Sequence, residues 1–259
     1  MNGRAAAGIE LRRLRKQFGG LTALQEASLS IAPGEFVSVL GPSGCGKSTL
    51  LRCIAGLETP SAGSVAVDGQ TVSAPPAGLG MVFQRDALLE WRTVADNLLL
   101  PVDFRRGDRN AARRRAAELL AMTALQGFER SYPAQLSGGM RQRVALCRAL
   151  VDDPVLLLMD EPFGALDALT RDQMNIELQR LWLAERKTVV FVTHSITEAI
   201  FLSDRVVVFT PRPGRIAEVI EVALPRPRRL AVRASEQFIG YASAIRGLFE
   251  DMGLLREEA

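Results

Sequence analysis

Residues 41–49, Gly41-Pro42-Ser43-Gly44-Cys45-Gly46-Lys47-Ser48-Thr49, carry the spacing GxxxxGK[ST]. Glycines at those positions let backbone N–H groups converge on phosphate oxygens at a helix N-terminus, and the lysine can reach the β- and γ-phosphates. The pattern has meaning only between a strand and a helix. Here the apolar run Phe36-Val37-Ser38-Val39-Leu40 precedes it and a helical stretch from Lys47 to about Gly56 follows. Ser48 is the candidate Mg²⁺ ligand and Thr49 supports the α-phosphate side, while Cys45 reads as a small residue tolerated in the loop. Binding a nucleotide is not hydrolysing it, and a second group, Asp160-Glu161, supplies what hydrolysis needs. It closes the run Val155-Leu156-Leu157-Leu158-Met159. Asp160 at the strand end can hold Mg²⁺ through water, and Glu161, turned elsewhere because strand side chains alternate, is free to orient or deprotonate a water. Alone, the pair reads equally as a helix cap and a surface charge; beside a phosphate loop it reads as a metal carboxylate and a base.

Two further segments, Leu136-Ser137-Gly138-Gly139-Met140-Arg141-Gln142-Arg143 and Asp160-Glu161-Pro162-Phe163-Gly164-Ala165-Leu166-Asp167, complete a set. With them the chain resembles the ATP-binding subunits of ABC transporters over about residues 9–222. The resemblance implies a P-loop NTPase (RecA-like) α/β core with an N-terminal antiparallel β subdomain and an inserted α-helical subdomain at about 87–152. The ATPase domain then spans 1–225, followed by a linker and C-terminal helix, 226–259. ATP and Mg²⁺ are the implied ligands. Gln84 matches the glutamine that contacts Mg²⁺ and the attacking water and reports to a transmembrane partner. His194 matches the histidine that touches the γ-phosphate; on its own a single histidine reads as packing or surface. Phe18 matches the aromatic that stacks on adenine, with a plain core phenylalanine as the other reading. Ser137, Gly138 and Gly139 serve the ATP held by an opposite subunit, with Asp167 in the same nucleotide-binding set as Gly41, Ser43, Gly44, Cys45, Gly46, Lys47, Ser48 and Thr49. With one copy of each motif per chain, the resemblance implies a homodimer that sandwiches two nucleotides. It also implies transmembrane permease subunits, an extracytoplasmic substrate-binding protein engaged indirectly, and a peripheral position on the cytoplasmic face of the inner membrane.

The stretches 86–97 and 206–216 resemble those of import ATPases for nitrate, taurine and aliphatic sulfonates, although their usual Leu-Leu-Pro-Trp is Leu88-Leu89-Glu90-Trp91 here. An exporter ATPase is the closer rival. A soluble ABC ATPase typically carries a coiled-coil insertion or a second ATPase unit, and neither is seen in this sequence. Trp91 is either part of a surface that grips a permease helix or a core anchor of the helical subdomain.

These residues need elements to hold them. Residues 9–12, 27–31 and 36–40 read as strands, 63–69 as a strand closed by the Asp68-Gly69 turn, and 80–83 as another strand. Helical patterns occupy 110–125 and 138–151. The uninterrupted apolar run before Asp160 predicts a central parallel strand buried on both faces. A helix at 168–185, a strand at 188–192, a helix at 195–203, a strand at 205–209 and a hairpin at 215–222 continue the alternation that defines α/β proteins. The Pro/Arg-rich stretch 224–229 predicts a linker to an amphipathic helix at 232–250, whose apolar face packs on its own domain or on a second subunit.

Composition narrows the rest. The chain has 259 residues, 47% hydrophobic and 24% charged, which suits a globular domain and excludes disordered, collagenous and coiled-coil classes. A net charge of +3 does not call for nucleic acid as a partner. The arginines at 105, 106, 109 and 113–115 read as a solvated helix face, and Lys16 and Lys187 as surface residues. Cys45, Cys53 and Cys147 form no CxxC pair, so neither a disulfide framework nor a zinc site is expected. No run approaches ~18 apolar residues and the N-terminus lacks the apolar core of a signal peptide, which predicts a cytosolic chain that does not itself cross a membrane.

Overall fold

The structure is a computed structural model, and it describes residues 5–254. Its centre is a six-stranded sheet in the order β10(Ile216–Glu221), β9(Arg205–Phe209), β3(Phe36–Leu40), β8(Thr188–Thr193), β7(Leu156–Asp160), β6(Leu79–Val82). All neighbours are parallel except the edge hairpin β9–β10. The apolar runs that give β3, β7 and β8 their near-complete burial reflect a sheet covered on both faces, and the pleat sorts them. Val37, Val39, Leu156, Leu158, Val190 and Val192 face one core together with α1(Lys47–Ile54) and the N-terminal sheet. Phe36, Leu40, Leu157, Met159, Val189 and Phe191 face the other, built by the remaining helices.

The N-terminal sheet has the order β2(Leu21–Ile31), β1(Ile9–Phe18), β4(Ala62–Val67), β5(Gln70–Thr71), and its pairs are antiparallel. β1 and β2 run well past the predicted 9–12 and 27–31. Register shifts around Arg13 (φ 44°) and Glu26 (φ 54°) interrupt the period-two pattern, so the strands continue after their alternation has stopped. That extra length carries Phe18 to the hairpin end.

α2(Val94–Arg105), α3(Arg109–Met122) and α4(Gly138–Leu150) pack on one another. Thr93, Asp108 and Ser137 cap them by accepting from backbone N–H groups of the first turn. The arginine cluster lies mostly on the solvated face expected of it: Arg105, Arg106, Arg109, Arg113 and Arg114 are exposed, Arg105 pairing with Asp152 in the turn after α4, while Arg115 is half-buried against Glu185.

After α5(Ala168–Glu185) and α6(Ile196–Leu202), the segment predicted as a linker is packed. Arg228 is 3% exposed and donates to the carbonyls of Ile200, Phe201, Ser203, Val222 and Leu224, which closes the C-terminal end of α6. The predicted 232–250 helix is a 3₁₀ turn, Leu230–Ala234, then α7(Glu236–Asp251), because Ser235 caps a new start by accepting from the Phe238 N–H. Phe238, Ala242 and Ile245 of α7 join the core that contains α6, so the apolar face is spent on this chain itself.

Lys16 and Lys187 are not surface residues. Lys187 is 4% exposed and bonds to Asp153, and Lys16 pairs with Glu58 and donates to the Thr59 carbonyl. Trp91 is 75% exposed, which removes its core-anchor reading. All three cysteines are free and buried, and among the described residues no helix is long and apolar enough to cross a membrane.

Candidate functional site

The 41–49 loop joins the C-terminal end of β3 to α1, at the carboxyl edge of the parallel strands. Gly46 has φ +107°, and a Cβ there would lie 2.6 Å from the Ala23 carbonyl oxygen, so only glycine lets the loop pass under β2. Lys47, 4% exposed, folds back over the loop and donates to the carbonyls of Gly41 (2.8 Å) and Pro42 (2.9 Å). Cys45 points inward, and burial pushes its thiol up.

A cleft of about 410 Å³ opens over this loop. Of the residues expected at a nucleotide, Phe18, Ser43, Gly44, Gly46, Lys47, Ser48, Thr49, Gln84 and Glu161 line it. Phe18 is 42% exposed at the cleft rather than buried as a core residue, with the Lys16 ammonium 4.7 Å from its ring centroid.

β7 brings the two carboxylates to the same mouth. The Ser48 hydroxyl donates to Asp160 Oδ1 at 3.0 Å, and burial raises the Asp160 carboxyl, opposed mainly by that hydrogen bond. Two adjacent oxygen donors, with Gln84 on the cleft wall, suit a hard cation that takes few protein ligands and completes its shell with phosphate and water. The residues present fit Mg²⁺.

Glu161 follows with φ +45°, a left-handed conformation unusual for a residue with a side chain. Its N–H donates to the Val192 carbonyl (2.9 Å), which pins the turn against β8 and aims the carboxylate into the cleft. Oε1 lies 3.7 Å from the Lys47 ammonium, and Oε2 lies 3.2 Å from Nδ1 of His194, itself just beyond β8. A second layer fixes the backbone on either side of that histidine. The Thr193 hydroxyl accepts from the Ser195 N–H and donates to Glu198, while Arg171 pairs with Glu198 and donates to the Leu166 carbonyl. Lysine, carboxylate and imidazole thus span the loop mouth, an arrangement able to bind a polyphosphate and place a water beside it.

Ser137, Gly138, Gly139 and Asp167 are not in this cleft. Ser137 caps α4, and Asp167 caps α5 by accepting from the Thr170 N–H; the Thr170 hydroxyl first, and that N–H second, hold its carboxyl below the ordinary range. The two caps are neighbours: a Cβ on Gly139 would meet Thr170 Cγ2 at 2.7 Å. Three lining residues, Leu21, Ala23 and Arg212, escaped the sequence reading. The continuation of β2 could have pointed to the first two; no linear motif marks the third.

Residues 24–164 match the ABC transporter family. An uncharacterised ABC transporter ATP-binding protein of Methanocaldococcus jannaschii is 48% identical over 91% of this chain and 88% of its own length. An aliphatic sulfonates import ATP-binding protein of Bacillus cereus is 42% identical over 93% of this chain and 94% of its own. Among solved structures, the dimeric post-hydrolysis state of the ATP-binding cassette MJ0796 bound to ADP and Pi matches with TM-score 0.73 and 35% identity over 84% of this chain and all of that one. The chain therefore belongs to the ABC transporter family, as an ATP-hydrolysing member with the P-loop NTPase fold.

Proposed function

We propose that this ATPase works as a homodimer with Mg²⁺ at the cytoplasmic face of a membrane. There it powers import of a small anion or an organosulfur or nitrogen compound, such as nitrate, taurine or an aliphatic sulfonate, through a separate permease. Its ATPase unit is residues 1–225, including a helical part at 87–152, with 226–259 as a C-terminal addition. The contacts Lys47–Glu161–His194 across the loop mouth carry the hydrolytic assignment.

Phosphoryl transfer to water needs an in-line nucleophile and neutralised phosphate charge, with little covalent help. The loop N–H groups and the Lys47 ammonium take that charge. Two of the three ammonium N–H bonds are engaged by Gly41 and Pro42, which leaves one for a phosphate oxygen. Glu161 orients the water and takes its proton. When its carboxylate accepts from Nδ1–H of His194, a neutral ring is left with Nε2 as an acceptor and an imidazolium with Nε2–H as a donor. The histidine therefore fixes the carboxylate and, when charged, reaches the γ-phosphate. Ser48, Gln84 and Asp160 would hold Mg²⁺, which supplies further charge neutralisation on the phosphates.

Import is supported by 42% identity to a sulfonate import ATPase along nearly the whole chain. Trp91, exposed shortly after Gln84, suits a surface that grips a permease. Steady-state phosphate release by the full-length protein with Mg-ATP tests the first half. Glu161→Gln should lower it by at least about 10²-fold while ATP binding persists. Release near the wild-type rate would sink the base assignment. The second half is tested in liposomes containing the co-purified permease complex and its binding protein: ATP-dependent uptake of taurine, an alkanesulfonate or nitrate is expected, and outward movement would overturn import.

A further inference from the structure

The turn 210–215 between β9 and β10 belongs to none of the expected nucleotide motifs, yet it is built against the cleft. Gly214 bridges to β2, donating to the Ala23 carbonyl (3.0 Å) and accepting from the Gln25 N–H (2.9 Å). A Cβ on Gly214 would lie 2.0 Å from the Cys45 carbonyl oxygen, so the turn presses on the phosphate loop as closely as backbone allows. Thr210 closes it internally, its N–H donating to the Arg215 carbonyl, and Arg215 is anchored on Gln25 (2.7 Å). The turn therefore joins the sheet that carries Phe18 to the loop that carries Lys47.

Out of this anchored turn Arg212 extends into the cleft. Its Nε and Nη2 donate to the Gly44 carbonyl at 3.0 and 2.9 Å. A guanidinium has five N–H bonds, so these two contacts leave three. Among the lining residues the charged groups are Lys47, Arg212 and Glu161, which makes Arg212 the second cation of a cleft suited to a polyanion. A single carbonyl does not use the planar fork that distinguishes arginine; a phosphate oxygen beside it would.

We propose that Arg212 is a direct contact to the phosphates of the bound nucleotide, a second cationic arm delivered by the β9–β10 turn in addition to Lys47. The inference rests on the nucleotide reading of the cleft. The Gly44 carbonyl sets the angle of the guanidinium, and its remaining N–H groups face the ligand.

The test is the affinity of full-length protein for Mg-ATP and Mg-ADP by calorimetric titration, with melting temperatures of the nucleotide-free proteins alongside. Arg212→Ala should weaken ATP binding by about tenfold, the size expected for one charge-assisted hydrogen bond. Arg212→Lys, which keeps the charge, should recover part of the loss, whereas Arg212→Gln, which can still donate to Gly44 but is neutral, should not. The variants should melt with the wild type, and the ATP affinity of the two neutral ones, Arg212→Ala and Arg212→Gln, should fall less steeply with added salt. ATP affinity in Arg212→Ala within twofold of wild type would overturn the proposal. So would full affinity in Arg212→Gln, or a loss matched by a lower melting temperature, because either would make the arginine a buttress for Gly44. Failure of the wild-type protein itself to bind ATP would overturn the nucleotide reading and this inference with it.

Discussion

Glu161 owes its reach to a backbone conformation that side chains seldom adopt, held by one hydrogen bond to β8. The backbone on either side of its partner His194 is held in turn by a buried layer centred on Glu198. Burial raises the Glu198 carboxyl from its ordinary 4.5, while the Thr193 hydroxyl and the charges of Arg171, His194 and Arg233 pull it partly back. The folded state thus keeps this proton to higher pH than the unfolded chain does. The associated stability is fully present below the unfolded value and is lost as pH rises through the folded one. Glu198→Gln does not titrate, so relative to wild type it should gain stability as pH rises from about 4.5 through the raised folded-state value. Urea midpoints of the two proteins at several pH values check this; a constant difference would show that the carboxyl does not carry the linkage.

At the scale of elements, Arg228 replaces a free linker with a five-carbonyl clamp over the end of α6. Burial lowers its guanidinium to about 10, with nearby Arg226 contributing. Arg228→Leu leaves those carbonyls without a donor and should cost about 3 kcal/mol of stability, on the scale of breaking a buried charged network. Denaturant unfolding measures the loss, and nucleotide binding should survive because the clamp is remote from the cleft. That clamp was invisible in the sequence, where Leu224 to Arg229 reads as composition typical of linkers. The parallel strands were legible because burial on both faces leaves an uninterrupted apolar run, as in β7. β1 and β2 were legible only in part, since their register shifts erase the alternation on which strand reading depends. The same limit applies to the site. Lys47, Ser48, Asp160 and Glu161 lie in local motifs, Gln84 and His194 needed the family resemblance, and Arg212 meets Gly44 of the phosphate loop across 168 residues, a contact that no local pattern at Arg212 announces.

On the whole molecule, the two features proposed to face nucleotide lie apart. The cleft holds Lys47 and Glu161, while Ser137 and Gly138 are exposed elsewhere, on the start of α4. A helix N-terminus with free N–H groups and an uncrowded glycine is a ready phosphate site, and the proposed dimer brings it over the partner's cleft. Glu161→Gln, which should trap bound ATP, is expected to elute with twice the 28.2 kDa chain mass when ATP is present and as a single chain without it. Light scattering during size exclusion distinguishes the two. A single-chain mass in saturating ATP would count against the homodimer.

The shielding of the three lysines, two buried and Lys16 mostly covered, has a practical side. Lys47 is folded back over its loop, Lys187 lies against Asp153, and Lys16 is only 12% exposed beside Glu58. The outward positive charge of this protein is guanidinium, a group that acylating reagents ignore. Amine-directed dyes and crosslinkers should therefore find no readily accessible lysine on the folded chain. Peptide mapping after brief treatment with an N-hydroxysuccinimide ester should recover all three lysines largely unmodified, and denaturation should make all three reactive at once.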